Sequence, residues 1–132
     1  MKPEDLVNLQ LVAYNDRDID AFVATYAADV RVFEAGESNP IFVGVESVRQ
    51  HYASKTFSRE GLNATILSRM LVGNKVIDHE RTTWTGRPSP DETLVVYEVV
   101  DDLIQNVWFF PLTPVTGRTK ETGLSIEANV KA

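Results

Sequence analysis

Apolar residues change their spacing once along this chain, near residue 60. Before that point they recur at helical intervals. Leu6, Val7, Leu9, Leu11, Val12, Ala13 and Tyr14 form a wide band behind Pro3, Glu4 and Asp5, residue types suited to the first turn of a helix. This predicts a deeply buried first helix, broken at Asn15-Asp16-Arg17. Asp18 reads as an N-cap for a second helix, in which Ile19, Phe22, Val23 and Tyr26 fall at i, i+3, i+4 and i+7. Val30 and Val32 alternate with Arg31, so a short strand is expected from about Asp29 to Glu34, then a loop from Gly36 to Pro40. A third helix should follow Gly44, with Val45, Val48 and Tyr52 on one face and Phe57 near its end.

After residue 60 the pattern becomes that of strands: Leu62 to Val72, Lys75 to Thr85, Thr93 to Val100 and Leu103 to Phe110. Gly73-Asn74 and Asp101-Asp102 are tight-turn pairs. The segment Gly86 to Asp91 cannot continue a strand, because Pro88 and Pro90 have no N–H to give to a ladder. Helices first and an antiparallel meander after them make an α+β domain. Residues 1–111 are read as that domain and 112–132 as a tail, with Leu124 to Val130 as an added strand or a loose arm.

Composition narrows the partners. A chain of 132 residues is one domain in size and needs no covalent staple. It has no cysteine, which removes disulfides, thiolate nucleophiles and sulfur-ligated zinc together. The net charge is −6 with no block of Lys or Arg, so nucleic acid is not an expected partner. No apolar run approaches a membrane span and no signal-peptide core follows Met1, so a cytoplasmic protein is expected. Two widely separated histidines match no metal-ligand spacing, and no glycine-rich phosphate loop is present, so neither metal nor cofactor is expected.

The order helix, helix, strand, helix, meander resembles that of the nuclear transport factor 2-like superfamily, which includes the SnoaL-like and ketosteroid-isomerase-like domains. Tyr14 to Phe22, Tyr26 to Val30, Gly44 to Val48, Tyr97 to Ile104 and Val107 to Phe109 are similar to strings of that family. The resemblance spans roughly residues 4 to 111 and implies a cone: a curved mixed sheet with three N-terminal helices on its concave face. Against the ketosteroid isomerases, Glu34 falls at the proton-shuttling base, and Tyr26 and Tyr52 fall at two tyrosines of the hydrogen-bond network. Gln10 and Thr93 stand where those enzymes keep their two strong acidic donors. A true ketosteroid isomerase, which must stabilise a dienolate, is therefore not expected.

The stretch Val76 to Trp84 carries the densest chemistry. Strand alternation puts Asp78, Glu80, Thr82 and Trp84 on one face and Ile77, His79, Arg81 and Thr83 on the other. The resemblance turns the first set toward the pocket; a slip of one residue would exchange the two sets. Two carboxylates at i and i+2 on an apolar wall would raise each other's pKa, as a general acid or base near neutral pH requires. The ordinary alternative is a solvated strand end with surface charges. His79 is expected in a cross-strand polar cluster with Arg81 and Glu98. His51 is either a polar wall group or a helix-surface histidine, and Tyr97 either a ligand-binding hydroxyl or a buried tyrosine with a backbone partner. Trp84, Trp108, Phe109 and Phe110 read most simply as core or interface aromatics.

Two function classes stay open. One is a cofactor-independent isomerase or lyase acting on an apolar substrate, with Glu34 as base, Asp78 or Glu80 as its partner, and Tyr26, His51, Tyr52, Trp84 and Tyr97 orienting the ligand. The other is a non-catalytic ligand-binding or protein-interaction module. The enzyme should converge polar groups on a cavity of roughly several hundred Å³. In both, the outer sheet face with Ile77, Thr83 and Trp108 presents apolar surface, and the resemblance implies that it pairs in a homodimer.

Overall fold

The computed structural model describes residues 1–111; the tail proposed for 112–132, and its added strand, lie outside the described residues. Helix α1 (Pro3–Asp16) starts with its proline in the first turn and Glu4 and Asp5 beside it. Arg17 closes it in a left-handed conformation, φ 54°, with its N–H directed at the carbonyls of Ala13 and Tyr14. Leu6, Val7, Gln10, Ala13 and Tyr14 face inward, whereas Leu9 and Val12 are exposed. The buried stripe is thus narrower than the apolar pattern predicts.

Helix α2 (Ile19–Val23) is capped as expected, the Asp18 carboxylate accepting the Ala21 N–H at 3.1 Å. It is shorter than its spacing predicts. Tyr26, expected on its last turn, instead opens strand β1 (Tyr26–Glu34). The cause is tertiary: Thr25 gives its carbonyl to the Ile104 N–H, and Tyr26 pairs with Ile104 across the sheet. Strand pairing overrides a helical apolar spacing here. Strand β2 (Phe42–Val43) was not expected, because two residues are too few to display an alternation. Gly44 leads into α3 (Val45–Ser54), followed by a 3-10 turn at Thr56–Ser58 that buries Thr56.

The meander forms β3 (Asn63–Val72), β4 (Lys75–Thr83), β5 (Asp91–Val100) and β6 (Leu103–Pro111). Its last turn places Asp101 and Asp102 at φ 51° and 62°, both positive, as a two-residue hairpin with matching twist demands. The sheet order is β2-β1-β6-β5-β4-β3, and only β1 and β6 run parallel, so the sheet is mixed. Register shifts at Tyr26/Arg31, Ile66/Ser68 and Glu98/Val99 interrupt three of the ladders. Such bulges add local bend and twist, which curves the sheet around the helices. Alternate residues of β4, β5 and β6 meet α1–α3 in one core that holds Phe22, Val30, Val48, Val76, Val95 and Val107.

One side chain ties the helical layer to the edge of the sheet. Asn15, at the end of α1, accepts the Ala64 N–H at 2.7 Å and donates to the Ala64 carbonyl at 3.0 Å. It thereby imitates a neighbouring strand for one residue of β3. Asn15→Ala should cost about 1–3 kcal/mol in urea unfolding, because both polar groups of the buried Ala64 backbone lose their partner. Asn15→Asp, which keeps only the acceptor, should fall between the two.

Candidate functional site

The inner face of β4 is polar where the rest of the core is apolar. Asp78 and Glu80 are each only 1% exposed, and Thr82 is buried beside them. Ile77, His79, Arg81 and Thr83 point outward, so the register is the one that sends the two carboxylates inside. Across the ladders, Asp78 sits between Arg69 and Val95, and Glu80 between Ile66 and Thr93.

The two carboxylates live in different surroundings. Asp78 is clamped by Arg69, whose Nε and Nη2 reach its two oxygens at 2.6 and 3.0 Å. Arg69 also donates to Asn8 on α1 at 2.7 Å, and the Asp78 hydrogen bond raises its own pKa further. Both Asp78 oxygens are therefore engaged in a bidentate ion pair. Glu80 instead lies among hydroxyls. Tyr14, Tyr26, Tyr52 and Tyr97 are all buried, and burial pushes each phenol well above its ordinary pKa. The charge of Glu80 raises all four further. These phenols stay neutral and remain O–H donors at any physiological pH. Gln10 donates to the Tyr26 hydroxyl at 3.1 Å, and Thr93 faces the same interior. Phe22 and Phe57 hold the rings of Tyr14, Tyr26 and Tyr52 by tilted and edge contacts at 4.7–6.1 Å.

Burial falls away toward one end of this interior. Along β4 it runs from Glu80 through Thr82 to a half-buried Trp84. Glu34, half-buried at the end of β1, continues the inward face of Val30 and Val32. Its carboxylate makes no hydrogen bond or ion pair among the described residues. Glu34 and Asp78 lie in one cross-strand row, Glu34–Phe109–Val95–Asp78. Three inter-strand steps separate them, about 14 Å along the sheet. Glu34 is therefore not a ladder neighbour of Asp78. His51, on the last turn of α3, packs against Phe42 and Tyr52 at 4.9 and 5.6 Å, and its Nε2 is buried with no hydrogen-bond partner.

The sequence reading missed two arginines. Arg69 was not singled out because the bulge between Ile66 and Ser68 changes the parity of β3 and brings it opposite Asp78. Arg59 stacks on Trp84, its Cζ 4.2 Å from the ring centroid. The signal for it was a cation two residues before Gly61, at the change of period, where a turn must form. The outer histidine is corrected in its partner: His79 Nε2 and Arg81 both meet Glu92, at 2.8 and 3.4 Å, while Glu98 binds Lys75 and Asn106. An open cleft of about 590 Å³ lies elsewhere, between α1, α2 and the β5–β6 turn, with Leu6, Leu9, Val12, Ala24 and Asp102 among its walls. It contains none of the residues expected in the site.

The family model for the SnoaL-like domain matches residues 8–107. No curated protein matches the chain. Among solved structures, an uncharacterized cystatin-fold protein from Novosphingobium aromaticivorans is 25% identical, with a TM-score of 0.72 over 83% of this chain and 97% of that one. An NTF2-like protein of unknown function from Burkholderia xenovorans is 16% identical, with a TM-score of 0.70 over 92% and 95%. A hypothetical protein of ketosteroid isomerase-like fold from Catenulispora acidiphila, in complex with trimethylamine, is 18% identical, with a TM-score of 0.64 over 83% and 85%. At these identities the last two establish fold alone.

The Arg69–Asp78 pair makes a direct prediction. Arg69→Leu strands a buried carboxylate and should destabilise the protein by about 3 kcal/mol or more. The double change Arg69→Leu with Asp78→Leu should recover most of that loss, both read from denaturant midpoints.

Proposed function

The chain belongs to the SnoaL-like family of the nuclear transport factor 2-like superfamily, and on that premise we propose that it binds a small apolar molecule and moves a proton on it. The observation that carries this reading is the division of labour on one concave wall. An uncommitted carboxylate, Glu34, stands at the rim. Neutral hydroxyl donors gathered round Glu80 form the floor. A base must have a free lone pair and reach the substrate; Glu34 is half-buried on the inward face of β1 and its carboxylate has no hydrogen-bonding or ionic partner among the described residues, which supports that role. Asp78 is not so placed, because Arg69 occupies both its oxygens. It is assigned here as the structural anchor of the β3–β4 hairpin, leaving Glu80 as the interior partner.

The reaction follows from these roles. A ketone bound between rim and floor would lose an α-proton to Glu34 while phenolic O–H groups hydrogen-bond the carbonyl oxygen as it gains charge. Returning the proton to a different carbon gives an isomerase; expelling a β-substituent gives a lyase. Tyr26, Tyr52 and Tyr97 orient the ligand from the floor, and His51 and Trp84 do so from the sides.

The outer face supports a second part of the proposal, a homodimer. Cross-strand neighbours Ile77, Val96, Trp108 and Phe33 make an apolar row, with Trp108 stacked on Phe33 at 5.9 Å. Thr83, expected there as well, is exposed on the same side of β4. Light scattering should give about 30 kDa, twice the 14.8 kDa chain. Val96→Lys should shift it to a monomer, and a wild-type monomer at micromolar concentration would overturn the assignment.

Proton transfer is tested by incubating the protein with a panel of apolar ketones in D₂O and following α-deuteration by NMR. Glu34→Gln should slow exchange about 10²–10⁴-fold, the usual worth of a general base. Full exchange by the variant would eliminate Glu34 as base. Binding with no exchange in the wild type would leave the non-catalytic ligand-binding module as the function.

A further inference from the structure

Two arginines share one indole at the open end of the interior. Arg87 lies 5.4 Å from the Trp84 centroid and is ion-paired with Asp91, a side chain only 8% exposed. Arg59 lies closer, at 4.2 Å, and has no carboxylate partner among the described residues. Its position is built rather than incidental. The Arg59 N–H bonds the Thr56 carbonyl at 3.2 Å, and the neighbouring Glu60 carbonyl accepts the Thr85 N–H at 2.8 Å, fastening this loop to the end of β4. Gly61 makes that fastening sterically feasible: it adopts φ +73°, and a Cβ there would come within 2.6 Å of the Thr85 hydroxyl.

Stacking fixes the plane of a guanidinium and leaves its N–H edge for in-plane hydrogen bonds. A half-buried guanidinium so held, with no counter-charge in contact among the described residues, is suited to pair with a planar anion. Its charge also reaches the floor of the site, where it opposes the upward shift of the Tyr14 and Tyr52 phenols. Arg59 is half-buried against the Trp84 ring rather than out in solvent.

We propose that Arg59 is the carboxylate receptor of this site, and that the ligand is an apolar molecule bearing one carboxylate. A single planar fork matches two carboxylate oxygens, whereas a phosphate dianion would call for several cationic donors. Arg87 cannot join it without leaving Asp91 buried and unpaired. The proposal rests on the interior being a ligand site, but not on catalysis there.

The chain has two tryptophans, so NMR offers one indole N–H signal at this rim and one on the outer face. Titration with 4-cyclohexylbutyrate should move the Trp84 signal and leave that of Trp108 in place. The acid should bind at least about tenfold more tightly than its primary amide, as expected for a charge-assisted bidentate contact. Arg59→Gln should erase that preference, and Arg59→Lys, which keeps charge without the fork, should restore part of it. Thermal unfolding of both variants checks that they fold. Equal affinity of acid and amide for the wild type would overturn the receptor assignment while leaving the ligand site standing. A preference that survives Arg59→Gln would overturn it too. Failure of both compounds to move Trp84 would remove the ligand-site reading on which the proposal rests.

Discussion

A charge withdrawn from water must be answered inside the protein, and the inner face of β4 withdraws two. Each isolated buried carboxylate would cost several kcal/mol. Because alternate side chains of a strand share a face, the parity that buries Val76 also buries Asp78, Glu80 and Thr82. The fold meets this demand in two ways. Asp78 is answered by a full opposite charge, bidentate and reinforced by Asn8 from α1. Glu80 is set among neutral phenols. The helices therefore do more than cover an apolar sheet: Tyr14 and Gln10 from α1 and Tyr52 from α3 supply part of the polar lining that the sheet requires.

That dependence shows why the site and the fold were not equally legible in the sequence. The period change near residue 60, the Asp18 cap and the Asp101-Asp102 turn are local signals, and each reappears in the structure. Strand alternation in β4 also carried through, since period 2 is unambiguous over nine residues. What escaped was set by partners distant in the chain. Tyr26 fits a helix by spacing but belongs to β1, because pairing with Ile104 decides. Arg69 could be matched to Asp78 only by knowing where β3 bulges. Arg59 and Trp84 lie 25 residues apart, and their stacking depends on a loop fastened by a backbone bond from Thr85. Placing His79 beside Glu98 rather than Glu92 was likewise an error of register, not of residue type.

The sheet's curvature then divides the residues by role. Along the closed part of the wall, groups are mutually committed, as in Arg69–Asp78 and Gln10–Tyr26. Toward the ends of strands and helices, Glu34, His51, Arg59 and Trp84 are half-buried. There, the Glu34 carboxylate, the Arg59 guanidinium and the His51 Nε2 have no hydrogen-bonding or ionic side-chain partner among the described residues. Committed groups stabilise a fold, and uncommitted ones are available to a ligand. The same division separates the acidic candidates: Asp78, almost fully buried, has both oxygens engaged by Arg69.

Donor strength limits the chemistry that such an interior can support. Where the resembled isomerases are implied to use strong acidic donors, this chain has Gln10, already donating to Tyr26, and Thr93. The remaining donors are phenols whose pKa burial and the charge of Glu80 both push upward. A phenol made harder to ionise gives a weaker hydrogen bond to a developing oxyanion than an activated one. Charge of the opposite sign must come from elsewhere, and Arg59, whose charge acts on Tyr14 and Tyr52, has no carboxylate partner among the described residues. An anionic ligand group bound there would bring its own electrostatic anchor and spare the tyrosines from supplying affinity. The phenols would then be left to orient the carbonyl, a task that neutral, rigidly packed donors perform well.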